Sequence, residues 1–293
     1  MMQTFKTLLL REWMQHQRGW WILTLAPLAI LLAAMGFGDV QLDGDEAPAG
    51  LFVIFGFAYA TAVAGLAAVS VIFQSSGLAR RDQQDRSIEF WLSLPVGHWS
   101  SIGATLLSHF WLFPLMAMLL GLAGGLLVAP LFVLRGFGAT ALLHLPWAEL
   151  MLPVAVGVLR LLVGVLVAMS WLAPLMLLVM AASAWLKRWG VPVVLATVGL
   201  GGLLLEHYYG LPQVHQVLSS LVEQAAHAAL PGLRDPDGSD AERLVAGQLD
   251  GLAHWLMVDL GQTLGQLASP LFLGAVAFSL GCVWLMVLRR ERG

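Results

Sequence analysis

The sequence predicts an all-α polytopic membrane protein with six transmembrane helices. Its 293 residues are 59% hydrophobic and only 11% charged, a balance that excludes an ordinary soluble domain of this size. Several apolar runs are long enough to cross a bilayer, which takes about 20 residues. Eleven of the fifteen lysines and arginines fall on one side of a six-span layout, as the positive-inside rule requires. The single cysteine, Cys282, excludes an internal disulfide.

The chain begins with a predicted interfacial helix over residues 1–19. Phe5, Leu8, Leu9 and Trp13 recur at three- and four-residue steps, and polar side chains occupy most positions between them. Such a helix lies along the membrane surface with its apolar side in the acyl boundary. The alternative is a basic tail that only flanks the first span. The placement of the aromatic residues favours the helix.

Six apolar segments are predicted to cross the membrane. They are residues 20–38, 51–73, 102–129, 155–185, 191–206 and 270–288. At about 1.5 Å per residue the second segment would be roughly 34 Å long, which is sufficient. An acidic loop containing Asp43, Asp45 and Glu46 follows the first span. Residues 131–150 mix charged and apolar side chains and are predicted to connect the third and fourth spans along the far surface.

Residues 207–269 are predicted to form an outer helical insert between the fifth and sixth spans. One apolar stripe passes through Val214, Val217 and Leu221, and a second through Leu252 and Leu260, each at helical spacing. The segment P-G-L-R-D-P-D-G-S between them has the composition of a loop.

The positive-inside rule sets the predicted orientation. The cations of the N-terminal segment, of the loop between spans two and three, of the Lys187-Arg188 pair and of the C-terminus share one side. That side is cytoplasmic, so both termini are predicted to be cytoplasmic. Adding or removing one span would mix the cations between the two sides.

The loop between the second and third spans, residues 79–99, is the most distinctive stretch and is called the coupling loop below. Its first half is too charged for hydrocarbon, and its second half too apolar for a freely solvated loop. Positive-inside topology with an interfacial helix accounts for the cations. It leaves Asp82, Asp85 and Glu89 unexplained beside Phe90 and Trp91, a mixture that favours docking on a partner protein.

The sequence D-R-S-I-E-F-W-L-S-L-P-V, residues 85–96, resembles the cytoplasmic loop of ABC-2-type transporter permeases. Arg86-Ser87 stands where that family frequently has Gly-Thr. The predicted layout is also similar to that family, which has an N-terminal interfacial helix, six spans, a coupling helix between spans two and three, and an outer insert.

This resemblance implies the permease subunit of an ATP-binding-cassette exporter in a bacterial inner membrane. Two permeases would work with two separate ATPase subunits, and ATP and Mg would bind to the partner and not to this chain. The substrate is expected to be amphiphilic or hydrophobic. The residues expected to dock on the ATPase are Asp85, Arg86, Ser87, Ile88, Glu89, Phe90, Trp91, Leu94 and Pro95.

The sequence carries no recognisable catalytic machinery, so the chain is predicted not to be an enzyme. No G-x-x-x-x-G-K-[ST] motif is present, and Gly121-x-x-x-Gly125 is instead the spacing with which membrane helices approach closely. None of the eight histidines belongs to a H-E-x-x-H motif or a comparable pair of histidines, and no metal site is predicted. Nothing indicates a nucleic-acid partner.

Arg160 and Glu206 are the two ionisable residues predicted at membrane depth, and they are candidates for a substrate path. Arg160 would then meet an anionic headgroup or carboxylate at the exit. The alternative is that both side chains extend to the outer interface. A second hypothesis for the whole chain is a membrane-embedded enzyme or assembly factor that uses the outer insert as its working surface.

Overall fold

The computed structural model describes residues 2–37, 47–79, 97–231 and 239–292, and every regular element in these ranges is helical. The α-helices are α1 (Met2–Phe37), α2 (Pro48–Leu78), α3 (His98–Leu107), α4 (Phe113–Leu143), α5 (Trp147–Leu186), α6 (Gly190–Val194), α7 (Gly201–Tyr209), α8 (Gln213–Ala229), α9 (Ser239–Val245), α10 (Leu252–Gly265) and α11 (Pro270–Glu291). Two π-helical segments, Ser108–Leu112 and Leu195–Leu200, join α3 to α4 and α6 to α7.

Five helical stretches of the described chain are long and apolar enough to cross a membrane, by length and composition. This confirms the helical class and indicates a membrane-embedded protein. The stretches are Phe5–Phe37, Pro48–Leu78, His98–Leu143, Trp147–Tyr209 and Pro270–Glu291.

The fourth stretch contains both the fourth and the fifth predicted spans. It has 63 residues and would measure about 95 Å if straight, three times the thickness of the hydrocarbon core. The chain breaks its helical course at Lys187, whose φ of 53° is the one positive value among non-glycine residues of the described chain. Beyond the break α6 lies directly against α5: a Cβ added to Gly190 would come within 2.5 Å of the Ser183 Cα.

Two predicted boundaries differ from the structure. Residues 1–19 and the first span were expected as separate elements, but α1 continues without interruption from Met2 to Phe37. The expected connection over residues 131–150 is largely helical, because α4 extends to Leu143 across a kink at Gly138, where φ is 84°. Glycine permits this positive φ without a steric penalty.

The centre of the protein is the contact between α2 and α4. Gly121 lies against the Ala60 backbone, and a Cβ on Gly125 would come within 2.3 Å of the Gly56 carbonyl oxygen. The small residues therefore bring the two backbones together, as the Gly121-x-x-x-Gly125 spacing predicts. Around this contact α5 and α11 complete a buried cluster that includes Trp20, Phe110 and Met286.

The two predicted helices of the insert are present as α8 and α10. Both pack against α5, and Leu221 and Ala225 of α8 are buried with Trp171 of α5 in one cluster. Leu221 of the predicted stripe thus faces the spans, whereas Val217 of the same stripe is 46% exposed.

Candidate functional site

The coupling loop is described only at its two ends. The predicted docking residues, Asp85, Arg86, Ser87, Ile88, Glu89, Phe90, Trp91, Leu94 and Pro95, all lie outside the described residues. Their role stays a prediction. The helices on either side of the loop are described, and they show what the loop is attached to.

Both flanks of the coupling loop enter the same buried cluster. Leu78 at the end of α2 and Ile102 in the first turns of α3 are 8% and 4% exposed, and Met286 of α11 lies in the same cluster. In addition, Arg290 Nη1 of α11 donates a hydrogen bond to Ser101 Oγ of α3 at 3.2 Å. The C-terminal helix is therefore fixed to the segment where the chain leaves the loop.

The N-terminal helix reaches the same region through Glu12. Along one line of α1, Leu8, Glu12, Trp20 and Thr24 are buried, and Glu12 has no exposed surface at all. Thr105 Oγ1 of α3 donates a hydrogen bond to Glu12 Oε1 at 3.1 Å. A buried carboxylate is costly unless it is paired and hydrogen-bonded, so its partners decide what it can do.

Glu12 belongs to a cluster of ionisable side chains. Arg11 Nη2 lies 2.6 Å from Glu12 Oε1, and His109 Nε2 lies 3.4 Å from Glu12 Oε2. His16, one helical turn after Glu12, places its Nδ1 3.0 Å from the Glu12 carbonyl oxygen. The rings of His16 and His109 meet edge to face with centroids 4.6 Å apart. We call Glu12, His16 and His109 the Glu–His cluster.

A cavity of about 250 Å³ opens beside the Glu–His cluster, between α1 and α2. Gln15 and His16 line it from α1, and Ser70 and Gln74 line it from α2. Gln74 Nε2 donates a hydrogen bond to Ser70 Oγ at 2.6 Å. The cavity thus offers polar side chains and a path to His16.

Arg160 is fully buried and directed into the insert. Its Nε donates to Asp259 Oδ2 of α10 at 2.5 Å, while Nη1 and Nη2 donate to the carbonyls of Ala228 and His227 at 2.7 and 3.0 Å. These carbonyls end α8, where the helix dipole favours a cation. The alternative prediction, that the Arg160 side chain extends to the outer interface, would leave it exposed. The side chain is instead fully buried.

Glu206 lies apart from Arg160. It is exposed near the end of α7, and its carbonyl accepts the backbone N–H of Gly210, which adopts the left-handed conformation common at helix ends. The partners of the Arg160 guanidinium come from α8 and α10 and not from α7. A substrate path that uses either residue stays a prediction.

The Glu–His cluster was not predicted from the sequence, because its three residues do not form a H-E-x-x-H motif. Glu12 and His16 have the i,i+4 spacing that places two side chains on one helix face. Glu12 is a charged residue among the buried positions of α1, and its spacing to His16 is the sequence feature that could have indicated the cluster. His109 lies 93 residues after His16 in the third apolar run, and no spacing rule connects the two.

No protein-family model matches this chain, and no curated protein or solved structure matches it either. The family is therefore not identified by similarity.

Proposed function

We propose that this chain is the permease subunit of an ABC-2-type exporter, which moves an amphiphilic or hydrophobic substrate across a bacterial inner membrane. The ATP would be hydrolysed by a separate ATPase subunit present in two copies. The coupling loop would receive the movement of the ATPase and transmit it to the spans.

One observation carries this proposal: the two flanks of the coupling loop are built into a single buried unit with the N- and C-terminal helices. The hydrogen bonds of Thr105 to Glu12 and of Arg290 to Ser101 tie α3 to α1 and to α11. Leu78 and Ile102 share one apolar cluster with α11. A displacement of the coupling loop would therefore move four helices together rather than bend one loop, which suits mechanical coupling.

The proposal includes six crossings with both termini in the cytoplasm. The break at Lys187 supports it, because α6 contacts α5 directly after the break and the 63-residue stretch is too long for one crossing. Lys187 and Arg188 stand at this break, and cations are favoured on the cytoplasmic side. The α6–α7 stretch would then be the fifth crossing.

A second copy of the chain would complete the transport path in this proposal. Leu195, Leu200 and Leu203, along the stretch from α6 to α7, are each more than half exposed, so a large apolar surface is present there. Ala196 lies on the same segment and is exposed. Lipid would cover whatever part of this surface the second copy leaves open.

The decisive experiment is co-purification of this chain with candidate ATPase subunits, followed by ATP hydrolysis in liposomes. The expected result is a stable complex whose hydrolysis rises when the transported substrate is supplied. If the chain binds no ATPase and moves no amphiphile, the proposal is wrong.

A further inference from the structure

We propose that Glu12, His16 and His109 bind a divalent transition metal, with Zn²⁺ the best match to their chemistry. One ligand atom from each residue lies within 4.8 Å of the other two. Two imidazoles and one carboxylate are borderline ligands of the kind that zinc prefers. This inference is independent of the proposed transport function.

The distances suit a tetrahedral ion. With metal–ligand bonds of about 2.0–2.1 Å, neighbouring ligand atoms of such a site lie roughly 3.3 Å apart. His109 Nε2 and Glu12 Oε2 are already 3.4 Å apart. The other two pairs of ligand atoms are at most 4.8 Å apart, so side-chain shifts of up to about 1.5 Å would bring all three atoms to tetrahedral spacing.

The surroundings orient the ligands in the manner of a metal site. His16 Nδ1 faces the Glu12 carbonyl oxygen at 3.0 Å, and a carbonyl only accepts, so Nδ1 carries the hydrogen. In the neutral ring Nε2 then holds the lone pair that a metal needs. Metal-binding histidines commonly donate their other nitrogen to a carbonyl in this way. Arg11 and Thr105 meanwhile fix the carboxylate through Oε1, and Oε2 faces His109.

His109 is placed by a local distortion of the helix. It lies in the π-helical segment Ser108–Leu112, which joins α3 to α4. Such segments are rare and occur frequently at functional sites. The imidazole has no exposed surface and is held edge to face against Phe113, with centroids 4.9 Å apart.

The ion and its fourth ligand would reach the site through the cavity between α1 and α2. His16 belongs to both the Glu–His cluster and the cavity lining, so a water or an incoming group could complete a tetrahedron there. The guanidinium of Arg11 contacts the other carboxylate oxygen, Oε1. Its charge offsets that of Glu12, so the two histidines contribute much of the affinity and loss of either should be severe.

The test is metal binding by the purified chain alone, carrying an affinity tag without histidine. After chelator treatment, Zn²⁺ is titrated and bound metal is measured by mass spectrometry of the eluted protein. The wild type should hold one Zn²⁺ per chain. His16→Gln, His109→Gln and Glu12→Gln should each weaken binding at least tenfold, since changes to partners outside the ligand set already cost 10–100-fold.

His144→Gln is the matched control. Its Nδ1 also faces the carbonyl of the residue four positions earlier, Thr140, at 2.8 Å, but its ring is exposed. Binding should be unchanged in this variant. Equal loss in His144→Gln, or one Zn²⁺ retained by His16→Gln, would overturn the proposal.

Co²⁺ gives a readout on the wild type that needs no variant to fold. A four-coordinate site with two imidazoles produces intense visible d–d absorption, which saturates at one equivalent and is displaced by Zn²⁺. Weak six-coordinate absorption, or no saturation, would show surface binding only and would overturn the proposal. These metal-binding measurements use no ATPase. A failure to bind metal would therefore leave the transport proposal intact, and a failure of the transport proposal would leave the metal site intact.

Discussion

Arg160 of α5 and Asp259 of α10, 99 residues apart in the chain, form a buried ion pair of 2.5 Å. The same guanidinium holds the last carbonyls of α8. The Arg160 side chain thus connects α8 and α10 of the insert to α5, which is long enough to span a membrane. Gly164 allows the approach, since a Cβ there would come within 2.4 Å of the Ala228 carbonyl oxygen.

Asp259→Asn should destabilise the protein strongly. The change leaves a buried guanidinium without its counter-charge, a loss that typically costs about 3–5 kcal/mol. The loss in free energy of unfolding is measured by denaturant titration of the purified chain in detergent. Glu223→Gln is the matched control, because Glu223 pairs with His227 at 3.5 Å on α8 but is 65% exposed. That control should cost no more than about 0.5 kcal/mol. Equal effects of the two changes would show that the buried pair does not secure the insert.

Gly125→Ala tests the contact between α2 and α4. The new methyl would lie 2.3 Å from the Gly56 carbonyl oxygen, so the helices must separate, at a cost of about 1–3 kcal/mol. Gly65→Ala on α2 is the control, because nothing lies within 4 Å of its Cβ position. It should be neutral or stabilising by up to about 1 kcal/mol, as alanine is the better helix former. The same unfolding measurement serves both, and equal stability would contradict the close contact.

The sequence was sufficient for features that depend on local spacing. The helical class, the close approach at Gly121 and Gly125, and the two helices of the insert all follow from periodicity and residue size. The continuity of α1 was not predictable from composition, because the change from a mixed to an apolar pattern near residue 19 does not require a break in the backbone.

The site residues show why the remainder was missed. Arg160 was predicted either to line a substrate path or to extend to the outer interface, because the sequence does not reveal that Asp259 and two carbonyls at the end of α8 bind its guanidinium. The Glu–His cluster requires His109, which reaches Glu12 only after α1 and α3 pack together. Both depend on contacts between residues about 65 to 100 positions apart, where spacing carries no information.

Cysteine labelling tests the predicted topology. In a Cys282→Ala background, cysteines at Gly44 and Ser239 should react with an impermeant maleimide added to intact cells, whereas one at Gln83 should react only after lysis. The reason is the distribution of cations under the positive-inside rule. Labelling of Gln83→Cys from outside would reverse the orientation and remove the proposed ATPase contact.

Crosslinking tests the second copy. Ala196→Cys lies on an exposed segment and should form a disulfide-linked dimer in membranes under mild oxidation. Ala168→Cys is the control, because that position is 6% exposed and should stay monomeric. Both are made in the Cys282→Ala background and read on non-reducing gels. A monomer for each of the two variants, together with a monomeric mass in native mass spectrometry, would contradict the proposed pairing of two copies.

The last prediction concerns the coupling loop. If Phe90 and Trp91 are the anchors that enter the ATPase, Trp91→Ala should cost upward of about 2 kcal/mol of binding, roughly a thirtyfold loss in affinity. Glu89→Lys reverses a charge at the rim and should have a smaller, salt-sensitive effect.

Trp189→Ala is the control, because Trp189 is 57% exposed at the break after α5, and its loss should leave ATPase affinity unchanged. Affinity is measured with the ATPase immobilised and each variant of this chain in detergent, alongside transport in liposomes. None of these changes touches a predicted span, so insertion and folding should be retained. If Trp91→Ala binds and transports like Trp189→Ala, the loop serves only to connect two spans, because a docking helix cannot lose its central aromatic anchor without losing affinity.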